Sequence, residues 1–346
     1  MKRYMYLFLL FIVLVAGFFR FFDISNNPPG LYVDEVANGN DAYAILTTGK
    51  DMHGVPFPLA FQSLGDYKMP LYIYMTAASM AIFGKNELAV RFPSAIAGTL
   101  TVLVFYFFLF ELLTLGSHTI ISKQTAQKIA LLGAFLLAIS PWHIHFSRGG
   151  FEVTLATFFF LAACWLALLF YKKQSIIYLT ISFLLFGSSI YTYFSFKVLS
   201  PIIFLFLTIF FYNKYRKLRA KIMFLFILLI FFLLPAILFS FTNNGLQRFS
   251  DTSAFSEYPA KTIIKKAVVY PMVFVKNYFS FFSFNFLFRY GDQNGRHQIP
   301  NTGLLFWWQL PLLLAGLFSL LHSKQKALKY ILLGLLIIVP IPAAFA

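Results

Sequence analysis

The sequence predicts an all-α polytopic membrane protein, and three observations lead to this fold class. Hydrophobic residues make up 60% of the chain, the mean hydropathy is +0.76, and apolar runs of roughly 20 residues, enough to cross a hydrocarbon core, recur along it. Because lipid offers no partners to backbone polar groups, such runs are expected to be helices. We predict about nine transmembrane helices, at residues 4–22, 88–114, 128–140, 151–171, 175–193, 198–212, 222–241, 303–321 and 329–346.

The polar segments between these runs predict the orientation. The first run follows Lys2 and Arg3 and has no small-residue cleavage site after it, so we interpret it as a retained signal anchor with a cytoplasmic amino terminus. The net charge of +16 is then a matter of topology rather than of nucleic-acid binding, because basic loops are expected on the cytoplasmic side. Four loops fall on that side and lack Asp and Glu: "SKQTAQK", "YKKQ", "NKYRKLRAK" and "HSKQKALK".

The acidic residues segregate to the other side. All of the 12 acidic residues except Glu111 fall at or near the outer face, and acids contribute little to orientation, so this segregation indicates that the outer face holds the chemistry. Two outer loops are long, at 23–87 and 242–302, and long loops are often functional. Within the first, residues 70–83 are apolar but short, which favours a helix lying at the membrane interface.

The whole chain, residues 1–346, is predicted to form one transmembrane module in the cell membrane. It stops within the apolar run "IPAAFA", so we expect it to be the amino-terminal part of a longer protein. The single cysteine, Cys164, lies in an apolar segment and has no partner for an internal disulfide.

Two residues of the first outer loop are candidates for chemistry. Asp34, in "GLYVDEVANGNDAY", would act as a general base if an acceptor hydroxyl came within hydrogen-bond reach; the alternative is a cap for a helix that begins near Val36. Lys68, in "GDYKMP", would lie at headgroup depth, where a compact ammonium suits a lipid-linked phosphate. The alternative for Lys68 is an ordinary snorkelling lysine.

The stretch "SPWHIHFSRGGFEV" joins two predicted spans on the outer side. Arg148 and Glu152 lie four residues apart there, so Arg148 could bind a phosphate with Glu152 orienting it, or the two could form an ion pair at a helix start. His143 and His145 have no third ligand nearby, and we predict neither a metal nor a cofactor.

The second long loop ends in a charged cluster among glycines. This cluster could cover a site and contact a sugar or phosphate, or it could be an ordered turn. Nucleotide-binding glycine motifs are missing from the sequence, so a cytosolic nucleotide donor is not expected. Chemistry outside the membrane needs a donor that has already been translocated, and lipid-phosphate-linked sugars meet this condition. The residues of the cluster are Arg289, Asp292, Arg296 and His297.

Several motifs, in this order, resemble a known family: "YVDEVANGNDAY", "GKDMHGVPFP", "GDYKMPLYIY", "FGKNELAVRFPSAIAGT" and "SPWHIHFSRGGFE", with a return at "FRYGDQNGRHQIPNTGLLFWWQLP". They are similar to bacterial membrane glycosyltransferases related to protein O-mannosyltransferases and to the lipid A aminoarabinose transferase, within the C-type glycosyltransferase superfamily. The resemblance covers most of residues 1–175, and its most specific element is the Asp-Glu pair after the first helix. Full members usually carry further helices and sometimes a soluble domain.

The resemblance implies an inverting transfer of a sugar from a polyprenyl-phosphate donor to an acceptor hydroxyl of a protein, lipid or glycan at the extracytoplasmic face. Asp34 would be the base, Glu35 would support it, and Lys68, with Arg148 assisting, would bind the donor phosphate. A helix cap remains the alternative for Glu35. Further candidates for substrate contact in the matched stretches are Asp66, Arg91 and Glu152.

The competing interpretation is a multi-pass transporter or lipid flippase without transferase chemistry. Such proteins carry ionisable residues in mid-span or paired broken helices, whereas the middle spans here are almost free of charge. A non-catalytic scaffold would not require Asp34, Lys68 and Arg148 to converge.

Overall fold

The computed structural model describes residues 2–63, 66–115, 121–242, 263–292, 294–323 and 325–345. Within them the chain is mostly helical and has only two short strands. Its helices are α1 (Lys2–Phe21), α2 (Val33–Thr48), α3 (Pro70–Phe83), α4 (Glu87–Leu113), α5 (Lys123–Ala138), α6 (Pro141–Arg148), α7 (Glu152–Lys173), α8 (Ile176–Ile190), α9 (Phe196–Lys214), α10 (Arg219–Ser240), α11 (Ile263–Ser280), α12 (Leu310–Leu321), α13 (Lys326–Ile338) and α14 (Ile341–Ala344).

Local sequence signals explain where the helices near the amino terminus begin and end. α2 carries two acids in its first turn, which suits the positive end of a helix, and it ends at Gly49, whose φ of 71° is the left-handed C-cap conformation. α4 begins at Asn86, whose side chain accepts from the Ala89 N–H at 2.9 Å. Pro141 follows the end of α5 and opens α6, which bends away by 56°.

The first outer loop is a small folded layer. α2 packs against α3, and between them lies a two-stranded antiparallel hairpin of β1 (Phe61–Ser63) and β2 (Asp66–Lys68), in which Phe61 pairs with Lys68. The N–H of Leu71 donates to the Tyr191 carbonyl at 3.0 Å and ties the start of α3 to the end of α8. The hairpin therefore presents Lys68 from a fixed support.

α4 is the central helix, since it contacts α1, α3, α5, α6 and α7. The largest apolar core lies between α4, α7, α8, α9 and α10 and is rich in phenylalanine. α4 and α6 approach closely at Gly98, because a Cβ at this position would overlap the Ser147 side chain. The α6–α7 connection in turn contacts α2, because the Gly150 N–H donates to Glu35.

The prediction of a multi-pass helical membrane protein is confirmed, and each of the nine predicted spans contains helix. Within the described residues, five helices are long and apolar enough to cross a membrane, or six if the bent pair α5–α6 is one span. The count of about nine spans therefore stays a prediction. The shorter apolar helices are α3, α8, the helical stretch Trp307–Leu321 and the stretch Leu328–Ala344.

Two of the predicted connections contain helices that were not predicted. The connection between α5 and α7 contains the helix α6, which was not predicted because "SPWHIHFSRGG" is rich in histidine and glycine. The second outer loop contains the 18-residue helix α11, while residues 243–262 of that loop lie outside the described residues. The helix at 70–83 is present as α3, and its interfacial position remains a prediction.

Candidate active site

The centre of the candidate site is the carboxylate of Asp34, which lies in the first turn of α2 between two cations. Its Oδ1 is 3.0 Å from the Lys68 ammonium, and its Oδ2 is 3.5 Å from the Arg296 guanidinium. The Lys68 side chain is 9% exposed, whereas those of Asp34 and Arg296 are 36% and 56% exposed. A half-exposed carboxylate with a buried cation on one side can meet a substrate from the other.

Lys68 also faces a second carboxylate. Its Nζ is 3.8 Å from Glu152 Oε1 at the start of α7, and it donates to the main-chain oxygen of Asp34 at 3.3 Å. Asn38, one turn after Asp34 on α2, donates to the same Glu152 oxygen at 2.8 Å. Glu152 therefore orients the lysine and an amide of α2 rather than Arg148, which was its predicted partner.

Glu35 is buried and paired with groups of the protein, and its support of Asp34 in catalysis stays a prediction. It pairs with Arg91 of α4 (Nε to Oε1, 2.8 Å), and it accepts from the N–H groups of Gly150 at 2.8 Å and Tyr32 at 2.9 Å. The contact with Tyr32 closes the first turn of α2, so the helix-cap interpretation holds for Glu35. Asp34 does not cap α2 with its side chain among the described contacts.

Arg91 and Arg148 contact main-chain oxygens instead of open space. The Arg91 side chain is fully buried and bonded to Glu35 and to three carbonyls, so its contact with substrate stays a prediction. Arg148 donates to the carbonyls of Phe19, Phe22 and Asn27 at 2.7, 2.8 and 2.6 Å. The structure brings Asp34, Lys68 and Glu152 together, and it places Arg148 at the end of α6, outside this group.

The end of the second outer loop reaches the site through Arg296. The Arg296 guanidinium lies 5.4 Å from the Tyr32 ring centroid, within cation–π range. The main-chain carbonyl of Arg296 accepts a hydrogen bond from His145 Nε2 at 3.0 Å. The His297 ring packs on Phe146, with centroids 5.3 Å apart. We call residues 294–298 the strap, because they cross the site from the second loop.

The other loop candidates lie beside the site rather than in it. His297 Nδ1 is 3.0 Å from Asp292 Oδ2, and this hydrogen bond holds the pKa of Asp292 below its usual range. Arg289 is exposed and stacks its guanidinium 4.8 Å from the Tyr290 ring centroid. Asp66 lies in β2 opposite Ser63, and its side chain is outside the described part of the structure.

Sequence reasoning missed two polar groups of the site. Asn38 is fully buried, and its Oδ1 has no hydrogen-bond partner among the described groups. Tyr32 contributes its ring to Arg296 and its N–H to Glu35. The signal for Asn38 was its place one helical turn after Asp34, which only the assignment of α2 reveals. No group of three or more His, Cys, Asp or Glu side chains suited to a metal occurs among the described residues.

The fold and site together define a class of protein: a helical membrane protein with a cluster of carboxylates and cations around the folded segment between α1 and α4. The chain superposes on the archaeal oligosaccharyltransferase AglB from Archaeoglobus fulgidus, in complex with an inhibitory peptide and a dolichol-phosphate, with a TM-score of 0.61. The match covers 99% of this chain and 48% of that chain at 15% identity. A second structure of the Archaeoglobus fulgidus enzyme, in complex with Zn and sulfate, gives a TM-score of 0.56 at 16% identity and covers 95% of this chain and 45% of that one. At this identity the comparison shows the fold alone.

The family follows from the sequence comparison. A profile of the dolichyl-phosphate-mannose-protein mannosyltransferase family matches residues 67–239, half of the chain, and the chain belongs to this family. It is also 27% identical over 189 residues to YkcB of Bacillus subtilis (strain 168), a protein named as a mannosyltransferase. That alignment covers 54% of this chain and 24% of YkcB, so the chain spans about a quarter of its relative. Membership in the C-type superfamily, predicted from the motifs, is confirmed.

Proposed function

We propose that this protein transfers a sugar from a polyprenyl-phosphate donor to an acceptor hydroxyl, with inversion at the anomeric carbon and with Asp34 as the general base. The observation that carries the proposal is the position of Asp34 between Lys68 and Arg296. Family membership supports the reaction class, and the mannosyl names of the family and of YkcB make mannose the first sugar to test.

The geometry suits each demand of the reaction. The donor is a phosphodiester with one negative charge, and cleavage of its sugar C1–O bond leaves the electron pair, and a second charge, on the polyprenyl phosphate. Lys68 and Arg296 can exchange their contacts with Asp34 for contacts with that phosphate and stabilise the developing charge. Asp34 is then left to accept the proton of the acceptor hydroxyl as its oxygen bonds to C1.

Exposure separates the roles of the two cations. Lys68 is buried and contacts two carboxylates, so its ammonium can turn from Asp34 to the phosphate but cannot move far. Arg296 is exposed on the strap, so it can move with the donor. Arg296 therefore takes the second phosphate-binding position, which the sequence had assigned to Arg148.

We place the site at the extracytoplasmic face and the amino terminus in the cytoplasm. The basic loops and the segregated acids support this orientation. The acceptor is then a hydroxyl of a protein, lipid or glycan outside the membrane, and the donor is one that another step has already brought across.

The test uses membranes that contain the full-length protein and radiolabelled polyprenyl-phosphate sugars, mannose first. Asp34→Asn should lower transfer by roughly 100-fold or more, the usual range for loss of a general base, while donor binding persists. Lys68→Met and Arg296→Gln should raise the donor KM. Glu87→Gln is the control for loss of an acid, because Glu87 is a partly exposed carboxylate in the first turn of α4, outside the proposed site and outside residues 22–30.

Two outcomes would refute the proposal. Equal transfer by the wild type and Asp34→Asn would remove Asp34 from the base role. Retention of configuration at the anomeric carbon, read from the linkage of the product, would exclude direct displacement.

A further inference from the structure

The segment between α1 and α2 is built from turns and bends, and two arginines hold its backbone. Residues 22–30 contain no regular helix or strand beyond the end of α1. Arg148 binds two of their carbonyl oxygens and Arg91 binds three. These carbonyls belong to Phe22 and Asn27 for Arg148, and to Ile24, Pro28 and Gly30 for Arg91.

A third arginine completes a reciprocal arrangement. Arg148, at the end of α6, donates to the Phe19 carbonyl near the end of α1, while Arg20 of α1 donates to the Ala138 carbonyl at the end of α5, at 3.1 Å. The last carbonyls of a helix have no partner within it and carry partial negative charge, which suits a cation. Thus α1 and the α5–α6 unit each receive a cap from an arginine of the other.

Two groups close to these arginine contacts also hold Glu35, the neighbour of the proposed base Asp34. Gly150, two residues after Arg148, donates to Glu35 Oε1, and Arg91 Nε donates to the same oxygen. Asp34 immediately precedes Glu35 in the first turn of α2. The position of the Asp34 carboxylate is therefore fixed by where residues 22–30 and the start of α2 lie.

We infer that Arg148 is a positioning residue that acts through Asp34, and that it is no ligand of the donor phosphate. This inference rests on the proposed function. Three of the five N–H donors of its guanidinium are engaged by carbonyls. The carbonyls contact two different nitrogens of the Arg148 guanidinium. A lysine has one ammonium nitrogen and cannot reproduce this arrangement, so lysine is not a conservative replacement.

The test is Arg148→Lys in the full-length protein. We expect kcat to fall tenfold or more while the KM for polyprenyl-phosphate mannose stays within twofold of the wild type. Amide hydrogen exchange in residues 22–35 should accelerate about tenfold, with or without donor. In an Asp34→Asn background the substitution should cause no further loss of turnover, because both changes act on one group.

Arg216→Lys is the matched control, since Arg216 is exposed in a separate helical turn before α10, and it should change neither kinetics nor exchange. Arg148→Gln, which can keep one carbonyl contact, serves if the lysine variant does not fold. A tenfold rise in donor KM would make Arg148 a phosphate ligand and overturn the inference, as would unchanged exchange in residues 22–35. If the wild type transfers no sugar, the proposed function fails, and the exchange measurement still decides the positioning role.

Discussion

Replacing Arg91 with methionine should destabilise the protein more than any exposed charge change. Methionine approximates the length and volume of the arginine stem but removes the guanidinium from a site where the arginine side chain is 0% and the Glu35 side chain 5% exposed. Glu35 would keep its two N–H donors but lose the positive charge that neutralises it. The carbonyls of Ile24, Pro28 and Gly30 would lose their hydrogen-bond donor. Breaking a buried pair by removing one partner costs about 3–5 kcal/mol.

The assay is equilibrium unfolding of the purified protein in mixed micelles. Lys172→Met is the matched control, because the Lys172–Glu111 pair is as short, at 2.6 Å, but its side chains are 24% and 18% exposed. We expect Lys172→Met to lower the free energy of unfolding by less, closer to the roughly 1 kcal/mol that is the upper range for exposed ion pairs. The double variant Glu35→Gln, Arg91→Met should recover part of the loss, since no charge remains buried alone. A loss below about 1 kcal/mol for Arg91→Met would refute this reasoning.

Two further predictions concern pH. The hydrogen bond with His297 lowers the pKa of Asp292 in the folded protein. This hydrogen bond therefore stabilises the fold fully above the ordinary aspartate pKa, and the stabilisation is lost as pH falls through the lowered pKa of the folded state. Amide exchange in the strap should therefore stay slow down to about pH 4 and become fast at pH 7 in Asp292→Asn. Burial raises the pKa of Asp41. The contribution of Asp41 to the stability of the fold is therefore greatest below the ordinary aspartate pKa, and it is lost as pH rises through the raised pKa of the folded protein. Asp41→Asn, which can still accept from the Met52 N–H, should raise the unfolding temperature at pH 7 and flatten its dependence on pH; no change at pH 7 would contradict the assignment.

The sequence predicted the helical membrane fold, because apolar runs long enough to span a bilayer leave few alternatives. It also predicted that Asp34 and Lys68 share a site, although this came from the resemblance to a family and not from spacing. Their separation of 34 residues in the sequence does not bring them together by itself. Only the fold shows that α2 packs on α3 and that β2 carries the Lys68 ammonium to 3.0 Å from Asp34.

The sequence could not separate the roles of its arginines. Arg91 and Arg148 are alike in charge and lie near apolar segments, and only the fold shows that both are engaged by carbonyl oxygens while Arg296 remains exposed. The Asp-Glu pair was ambiguous for a similar reason. Adjacent residues of a helix diverge by about 100°, so one carboxylate turns into the bundle toward Arg91 and the other faces the strap.

The arginine contacts in residues 22–30 have a consequence for how this segment can vary. Every bond that Arg91 and Arg148 make to it ends on a main-chain oxygen, an atom that all twenty residue types share. Substitutions within the segment that keep its backbone path therefore leave the anchoring intact, whereas a single change at either arginine affects several residues at once. Related proteins should accordingly differ in the side chains of this segment, except at positions such as Gly30, whose φ of 69° favours glycine, while keeping both cations. A natural variant lacking one arginine should carry a new donor in its place.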